Sequence, residues 1–291
     1  MAPLHSGGTA RLSGRDAIAF AQSQFANDVS LLSDGQWQWN CWLSVKGRVI
    51  ALFALLRSRA DELVLWLPDA SAAALVEQLL RFRFRSKVVI EVAGDLAASG
   101  AFAAPADLGL DANGNRAEMM RGEDDRILRI ALDMSGATPR TLLLESGRPA
   151  SGVAPDFDAR WKRDDIAHGL PRLAESQAEA FTPQMLGLQH LSAFSVKKGC
   201  YPGQEIVART HFLGQAKRST AGLALNVPAE PGTRLLSASG AIAELISISS
   251  VDSATVALAI VPREHGNDAF TSEDGLIEAT PLPLLDGLAR A

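Results

Sequence analysis

Cysteine is scarce in this 291-residue chain: Cys41 and Cys200 are the only two, and they lie far apart. That excludes a disulfide framework and fits reduced thiols. Neither has a close Cys or His partner at zinc-finger spacing, so no metal site is expected. Long apolar runs are missing as well. The longest, Val49 to Leu56, falls far short of the roughly 20 residues of a membrane span. Met1 to Ala10 has neither a basic start nor an apolar stretch behind it, so the reading is a cytoplasmic protein with no export signal and no direct membrane partner. Positive charge is not in surplus: 28 Lys and Arg stand against 33 Asp and Glu, a net charge of −5. The bulk field therefore does not draw in polyanions, and direct RNA binding is not expected outside a local basic patch. No GxGxxG or P-loop spacing occurs.

What is present is material for more than one core. The length and the 47% hydrophobic content suit two or three packed units. Ser13 with Asp16 reads as a capping box, followed by a helix with Ile18, Ala21, Phe25 and Val29 on one face and a turn at Gly35. Gln36 to Ser44 reads as a strand whose alternation places Cys41 in the core. Turns at Ser44 to Val49 and Ala60 to Glu62 separate it from VIALFALL and from Leu63 to Leu67, giving three neighbouring strands. Pro68 and Asp69 read as the start of a second helix carrying Leu75, Leu79 and Phe82. Arg81, Arg83, Arg85 and Lys87 then alternate with Phe82 and Phe84. The plain reading is a solvated face with two buried phenylalanines; the sharper one is a patch for a polyanion or RNA.

Ala93 to Arg116, rich in Ala, Gly and Asp, reads as a junction between subdomains. Strands resume at Ile127 to Leu132 and Thr141 to Glu145, and Pro149 to Phe157 reads as a loop. The tail from Ala221 carries short β-rich runs that suggest a small antiparallel barrel, with Pro281 to Leu285 extended or loosely docked. The class is α+β with antiparallel sheets, because strands follow one another without a helix after each. In Arg160 to Leu173, Trp161 reads either as a core anchor or as a stacking surface for a flat ligand. Asp164 and Asp165 read as a solvated pair and His168 as a turn residue.

KKGCYPGQE, Lys197 to Glu205, has a mixture that packing does not ask for. Gly199 and Gly203 permit unusual backbone angles and Pro202 stiffens the turn, so Cys200 is presented on a shaped loop. Lys197 and Lys198 would favour its thiolate. The segment from Gly203 and Gln204 would open a short helix on which Glu205 and Arg209 pair. Such a thiolate could ligate iron, exchange with another thiol or attack an electrophile; the plain alternative is an inert buried cysteine. A Cys200–His211 hydrolase dyad is a rival of another class. Asp28 is the one carboxylate nominated for acid–base work, and it also suits a capping role.

Lys198, Gly199, Cys200, Tyr201, Gly203, Gln204 and Glu205 resemble the Lys-Gly-Cys-Tyr-x-Gly-Gln-Glu motif of the YgfZ-type folate-binding proteins. The resemblance continues through Ile206 to Arg209 and back to the Phe-Thr-Pro-Gln-Met segment at Phe181. It extends to Gln24, Asp28 and Val29, to Lys46–Gly47–Arg48, and to Trp161, Ile166, Gly169 and Pro171. The resemblance implies two interlocked antiparallel α+β subdomains like those of the glycine cleavage T-protein, over residues 1–212 with a junction near 93–116. A C-terminal antiparallel β-barrel would occupy 213–291. It implies tetrahydrofolate or a derivative in a central opening, with Trp161, Lys198, Tyr201, Gln204, Glu205 and Arg209 as folate-binding residues and Cys200 and Asp28 as the chemical groups. It also implies work in assembly or repair of iron–sulfur clusters, with assembly factors or client enzymes as partners and effects on tRNA modification. The alternative within the same superfamily is a tetrahydrofolate-dependent one-carbon transferase.

Overall fold

The computed structural model describes residues 1–4, 7–147, 156–214, 216–264 and 268–290. The expected loop Pro149 to Phe157 lies, as far as residue 155, outside the described residues. In chain order, β1 (Ala2–Pro3), β2 (Gly8–Ser13), α1 (Ala17–Gln24), β3 (Trp37–Leu43), β4 (Val49–Arg59), β5 (Glu62–Leu67), α2 (Ala72–Leu80) and β6 (Val89–Val92) make the first part. Then come β7 (Leu96–Ala101), β8 (Glu118–Arg121), β9 (Ile127–Asp133), β10 (Thr141–Ser146), α3 (Phe157–Ala167) and α4 (Gln204–Phe212). The last strands are β11 (Arg218–Leu225), β12 (Arg234–Ser237), β13 (Ile242–Val251), β14 (Ala254–Pro262), β15 (Phe270–Thr271) and β16 (Glu278–Leu282).

The strands form a sheet of order β3-β4-β5-β2-β6, a second of order β1-β7-β10-β9-β8, and a closed six-strand barrel. The strand pairings among the described residues are antiparallel, such as Trp39 opposite Ala54 and Leu142 opposite Leu132. The class is therefore α+β with antiparallel sheets and a C-terminal barrel, as the strand runs imply. The first strand of the chain pairs with β7 in the second sheet, so the chain's start is woven into the later unit. No helix is long and apolar enough to cross a membrane.

Two-residue alternation explains the middle of the first sheet. Trp39, Cys41, Leu52, Ala54, Val64 and Trp66 face one core, while Trp42, Ala51, Phe53, Leu55, Leu63 and Leu65 face another. Both faces are covered, so the strands read as nearly continuous apolar runs. Helices α1 and α2 cover the second face with Phe20, Leu75 and Leu79. The other face joins one core with Ile130 and Leu142 of the second sheet, Trp161 of α3, Val207 of α4 and Ile246 and Leu258 of the barrel.

Several local expectations are corrected. Ser13 ends β2, and the Asp16 carboxylate accepts the Lys87 amide at 2.7 Å instead of capping α1. Helix α1 stops at Gln24, so Phe25 and Val29 lie beyond it although both are buried. Helix α2 starts at Ala72, capped by Ser71 Oγ on the Ala74 amide at 3.3 Å, and Phe82 falls past its end. Asp164 and Asp165 are not a solvated pair. Asp165 is 2% exposed, its two oxygens taking Arg140 at 2.9 Å and Arg172 at 2.7 Å, while Asp164 pairs with Arg140 at 2.8 Å. Arg172 also grips Asp69 at 2.8 Å and the Pro68 carbonyl at 3.0 Å, and its backbone is bonded to Ser247 of the barrel. This buried network links β5, α3, the start of β10 and β13. His168 is more than a turn residue: Nδ1 donates to the Asp164 carbonyl at 2.9 Å and Nε2 accepts the Ala137 amide at 2.8 Å.

Candidate functional site

The motif loop is fastened from below. Lys198 is buried, and its ammonium donates to the carbonyls of Gln22 at 2.7 Å, Phe25 at 2.5 Å and Asn27 at 3.0 Å, closing the C-terminal end of α1. A helix end leaves such carbonyls without partners, and a cation there also meets the negative end of the helix dipole. Burial pulls the Lys198 pKa down to about 8, against the opposing pull of Asp28. All three N–H donors are occupied, so Lys198 is a structural clamp and leaves no proton for a folate carboxylate. The ammonium also lies 5.1 Å from the Tyr201 ring centroid. Tyr201 is buried and donates to the Ser195 carbonyl at 3.1 Å, with its hydroxyl pKa raised by burial. Gln204 Nε2 closes the loop on the Lys198 carbonyl at 3.1 Å.

The glycines are explained by contact as well. Gly203 has φ +77°, and a Cβ there would lie 2.6 Å from both Gly47 Cα and Ser44 O. Gly47 in turn has φ +67° and meets Ile206. The Lys46–Gly47–Arg48 turn and the start of α4 thus pack backbone against backbone, which only glycine permits. Cys41 is buried, its thiol pKa pushed up by burial. Cys200 is exposed, as is Gly199, where a Cβ would meet open space.

The remaining nominees are placed differently from expectation. Asp28 accepts Gln22 Nε2 at 2.9 Å, the Ser30 amide at 3.1 Å and Ser30 Oγ at 2.5 Å, capping the short 3-10 turn Val29–Leu31. Burial pushes its carboxyl up, but those hydrogen bonds outweigh it and hold the group below the ordinary carboxylate range. A cap held in its charged form is a poor general base. Glu205 and Arg209 are exposed and form no ion pair among the described residues, so the expected helical pair is absent. His211 sits in the last turn of α4 with its ring edge-on to Phe212 at 4.8 Å, and among the described residues no hydrogen bond joins it to Cys200, which precedes the helix's first turn. Trp161 is 1% exposed. The Arg140 guanidinium lies 4.6 Å from its ring, a Cβ on Gly100 would be 2.7 Å from it, and Phe157 and Phe102 close its sides. It offers no open face for stacking in this structure and acts as the anchor of α3.

A cavity of about 260 Å³ lies elsewhere, where β4, the link between β5 and α2, and residues 171–178 meet. Ile50, Leu52, Leu75, Pro171 and Leu173 give it apolar walls, and Asp69, Ser71 and Glu175 bring polar atoms. Burial raises the Asp69 pKa, with Arg172 pulling against it. The Glu175 carboxylate is exposed at the edge and has no hydrogen-bond or ion-pair partner among the described residues. None of the eight residues nominated from sequence lines this cavity. The structure gathers Lys198, Tyr201 and Gln204 with Asp28 at one place, sets Trp161 in the core, and separates both from the cavity.

No family model matches the chain. It is 27% identical over 225 residues to the tRNA-modifying protein YgfZ of Colwellia psychrerythraea, covering 73% of this chain and 67% of the relative. To the protein of the same name from Vibrio atlanticus it is 28% identical over 209 residues, covering 70% and 63%. The chain is thus similar in sequence to proteins named YgfZ. The match spans about two thirds of those relatives' own length. Among solved structures, the glycine cleavage system aminomethyltransferase T from Bartonella henselae matches with a TM-score of 0.72 at 17% identity, covering 98% of this chain and 84% of that one. That likeness shows the fold, and the T-protein architecture expected from the motifs is the one found. Of the residues that line the cavity, Asp69 and Glu175 were not nominated from the sequence. For Asp69 the available signal was its place directly after Pro68, which ends the apolar strand Leu63 to Leu67, where loops carry polar groups to a site; Glu175 had no such signal.

Proposed function

We propose that the chain binds tetrahydrofolate or a derivative with its pterin head in the cavity beside β4, and that it acts in assembly or repair of iron–sulfur clusters through Cys200. The observation that carries the folate half is the unpartnered Glu175 carboxylate at the edge of an apolar cavity. A 2-amino-4-oxopyrimidine edge offers N–H donors side by side, and a carboxylate accepts such pairs in parallel, as it does from guanidinium. Ile50, Leu52 and Pro171 would cover the ring. The volume is below the roughly 300–1,000 Å³ of sites that enclose a whole drug-sized ligand, so the head fits inside and the aminobenzoyl-glutamate tail lies toward solvent. Bound there, a reduced folate supplies a carrier for one-carbon units. The naming of the relatives as tRNA-modifying proteins and the aminomethyltransferase fold of the structural neighbour support the assignment.

Cys200 contributes one exposed thiol. Among the described residues no three His, Cys, Asp or Glu side chains converge as a metal site. A cluster handled at Cys200 would therefore draw its other ligands from an assembly factor, a client enzyme or small thiols, and would leave by ligand exchange. The working compartment in this reading is the cytoplasm. Complementation of a deletion strain, read by the activity of an iron–sulfur enzyme, tests both halves. Cys200→Ala and Glu175→Gln should each restore less activity than the wild type; full restoration by Cys200→Ala would make the thiol dispensable.

One-carbon transfer is the second reading, and Asp69 favours it over Asp28 as the acid–base group. Asp69 lines the cavity and burial raises its pKa toward the working range. Turnover of 5,10-methylene-tetrahydrofolate by the wild type and its loss in Asp69→Asn would establish this reading; no turnover by either would remove it.

A further inference from the structure

The turn that follows α2 carries chemistry that the proposed function does not use. The Ser86 amide donates to the Arg83 carbonyl at 2.8 Å and closes a four-residue turn with Phe84 and Arg85 at its corners. Phe84 has φ +41° and is 85% exposed. A bulky aromatic in the left-handed region, projecting into water, is disfavoured both by backbone sterics and by hydration. Sequence reasoning expected Phe82 and Phe84 to be buried, and the structure shows both exposed, Phe82 at 39% and Phe84 far more. The base of the turn is firmly held: the Phe82 amide bonds the Leu79 carbonyl at 3.0 Å, and its ring meets Trp42 edge-on at 5.9 Å. Asp16 fixes the far end through the Lys87 amide at 2.7 Å. Arg83, Arg85 and Lys87 are exposed around the ring with no carboxylate partner among the described residues. The neighbouring Arg81 and Arg15 pair with Glu77 and Asp16.

We propose that this turn is a binding surface for a single-stranded polynucleotide, one base stacking on Phe84 while Arg83, Arg85 and Lys87 hold the adjacent phosphates. Cations alternating with an open aromatic ring supply both contacts that such strands use. An anionic lipid surface is the less suited partner, because it needs an apolar face that sinks into the headgroups. Here the half-open Phe82 ring rests edge-on against Trp42, and Phe84 is the ring that stands clear of the surface, enough for one base. A duplex fits poorly, since its bases are already stacked. The net charge of −5 opposes polyanions elsewhere on the molecule, so binding is confined to the turn and is salt-sensitive.

The test is fluorescence anisotropy with a fluorescein-labelled RNA of about 12 nucleotides, the DNA strand of the same sequence and their annealed duplex, with phosphatidylglycerol–phosphatidylcholine vesicles in a parallel sedimentation arm. The expected result is that either single strand binds more tightly than the duplex. With three cations engaged, log affinity should fall against log salt with a slope of about −2. Phe84→Gly suits the positive φ and keeps the fold, which melting curves check, and it should weaken strand binding about fivefold or more. Arg85→Gln should make the slope shallower by about 0.7. Duplex binding as tight as the strands, unchanged binding by folded Phe84→Gly, vesicle binding without strand binding, or no strand binding at low salt would each overturn the proposal.

Discussion

Replacing Lys198 by methionine keeps the aliphatic stem of the side chain and removes the ammonium that ties the motif loop to α1. Three charge-assisted hydrogen bonds go with it, to the carbonyls of Gln22, Phe25 and Asn27. Bonds to a charged group contribute about 1.5–3 kcal/mol each, so the gross loss is roughly 5–9 kcal/mol. Against this stands relief of the buried charge: a folded pKa of about 8 in place of 10.5 corresponds to about 3 kcal/mol. The net destabilisation is about 2–6 kcal/mol at neutral pH, or a drop in Tm of roughly 5–15 °C for a chain of this size. The pH dependence has a definite sign. Because the folded pKa is depressed, the unfolded chain holds a proton between about 8 and 10.5 that the folded chain has lost. Stability contributed by Lys198 therefore rises with pH across that window, and the gap between wild type and variant should widen by up to about 1.4 kcal/mol per pH unit. Guanidinium titrations of both proteins at pH 7, 8, 9 and 10 measure it. A gap under about 1 kcal/mol at pH 7, or one that narrows above pH 8, would refute the clamp.

Other substitutions probe the same account. Gly203→Ala forces a Cβ against Gly47 and Ser44 at positive φ and should cost about 2–4 kcal/mol in a thermal melt, with no rescue by Gly47→Ala. Asp165→Asn breaks the bridge between Arg140 and Arg172 and should lower stability by about 3–5 kcal/mol, far more than a surface carboxylate would. Trp161→Phe opens space beneath Arg140 and Gly100 and should cost about 1–3 kcal/mol while leaving folate affinity unchanged, as calorimetric titration would show.

Much of the fold was legible because the first sheet is built from alternation and turn chemistry. WQWNCW and VIALFALL are covered on both faces, so their apolar content identifies strands unaided, and Lys46–Gly47–Arg48 marks the hairpin between them. Helix ends were harder to read. Asp16 and Ser13 look like a capping pair locally, but Asp16 is claimed by the Lys87 amide from a distant part of the chain. The same non-local competition hid the buried network: Asp164 and Asp165 look solvated until Arg140 and Arg172 arrive from either side of them in sequence. The motif's residue types were legible, but most of their work was not. Lys198, Tyr201, Gly203 and Gln204 hold the loop against α1 and the Gly47 turn, while Lys197, Gly199, Cys200 and Glu205 face outward. A burial-independent reading of Trp161 could not distinguish an anchor from a stacking platform, since indole suits both.

The central claim is that folate is held at the cavity edged by Glu175, away from Trp161 and the motif loop. Calorimetric titration of tetrahydrofolate into the wild type and Glu175→Gln tests it most directly. The account predicts saturable binding by the wild type and at least about tenfold weaker binding by the variant, the scale of one lost charge-assisted pair. Equal affinity in the two proteins, or no binding by the wild type, would contradict it.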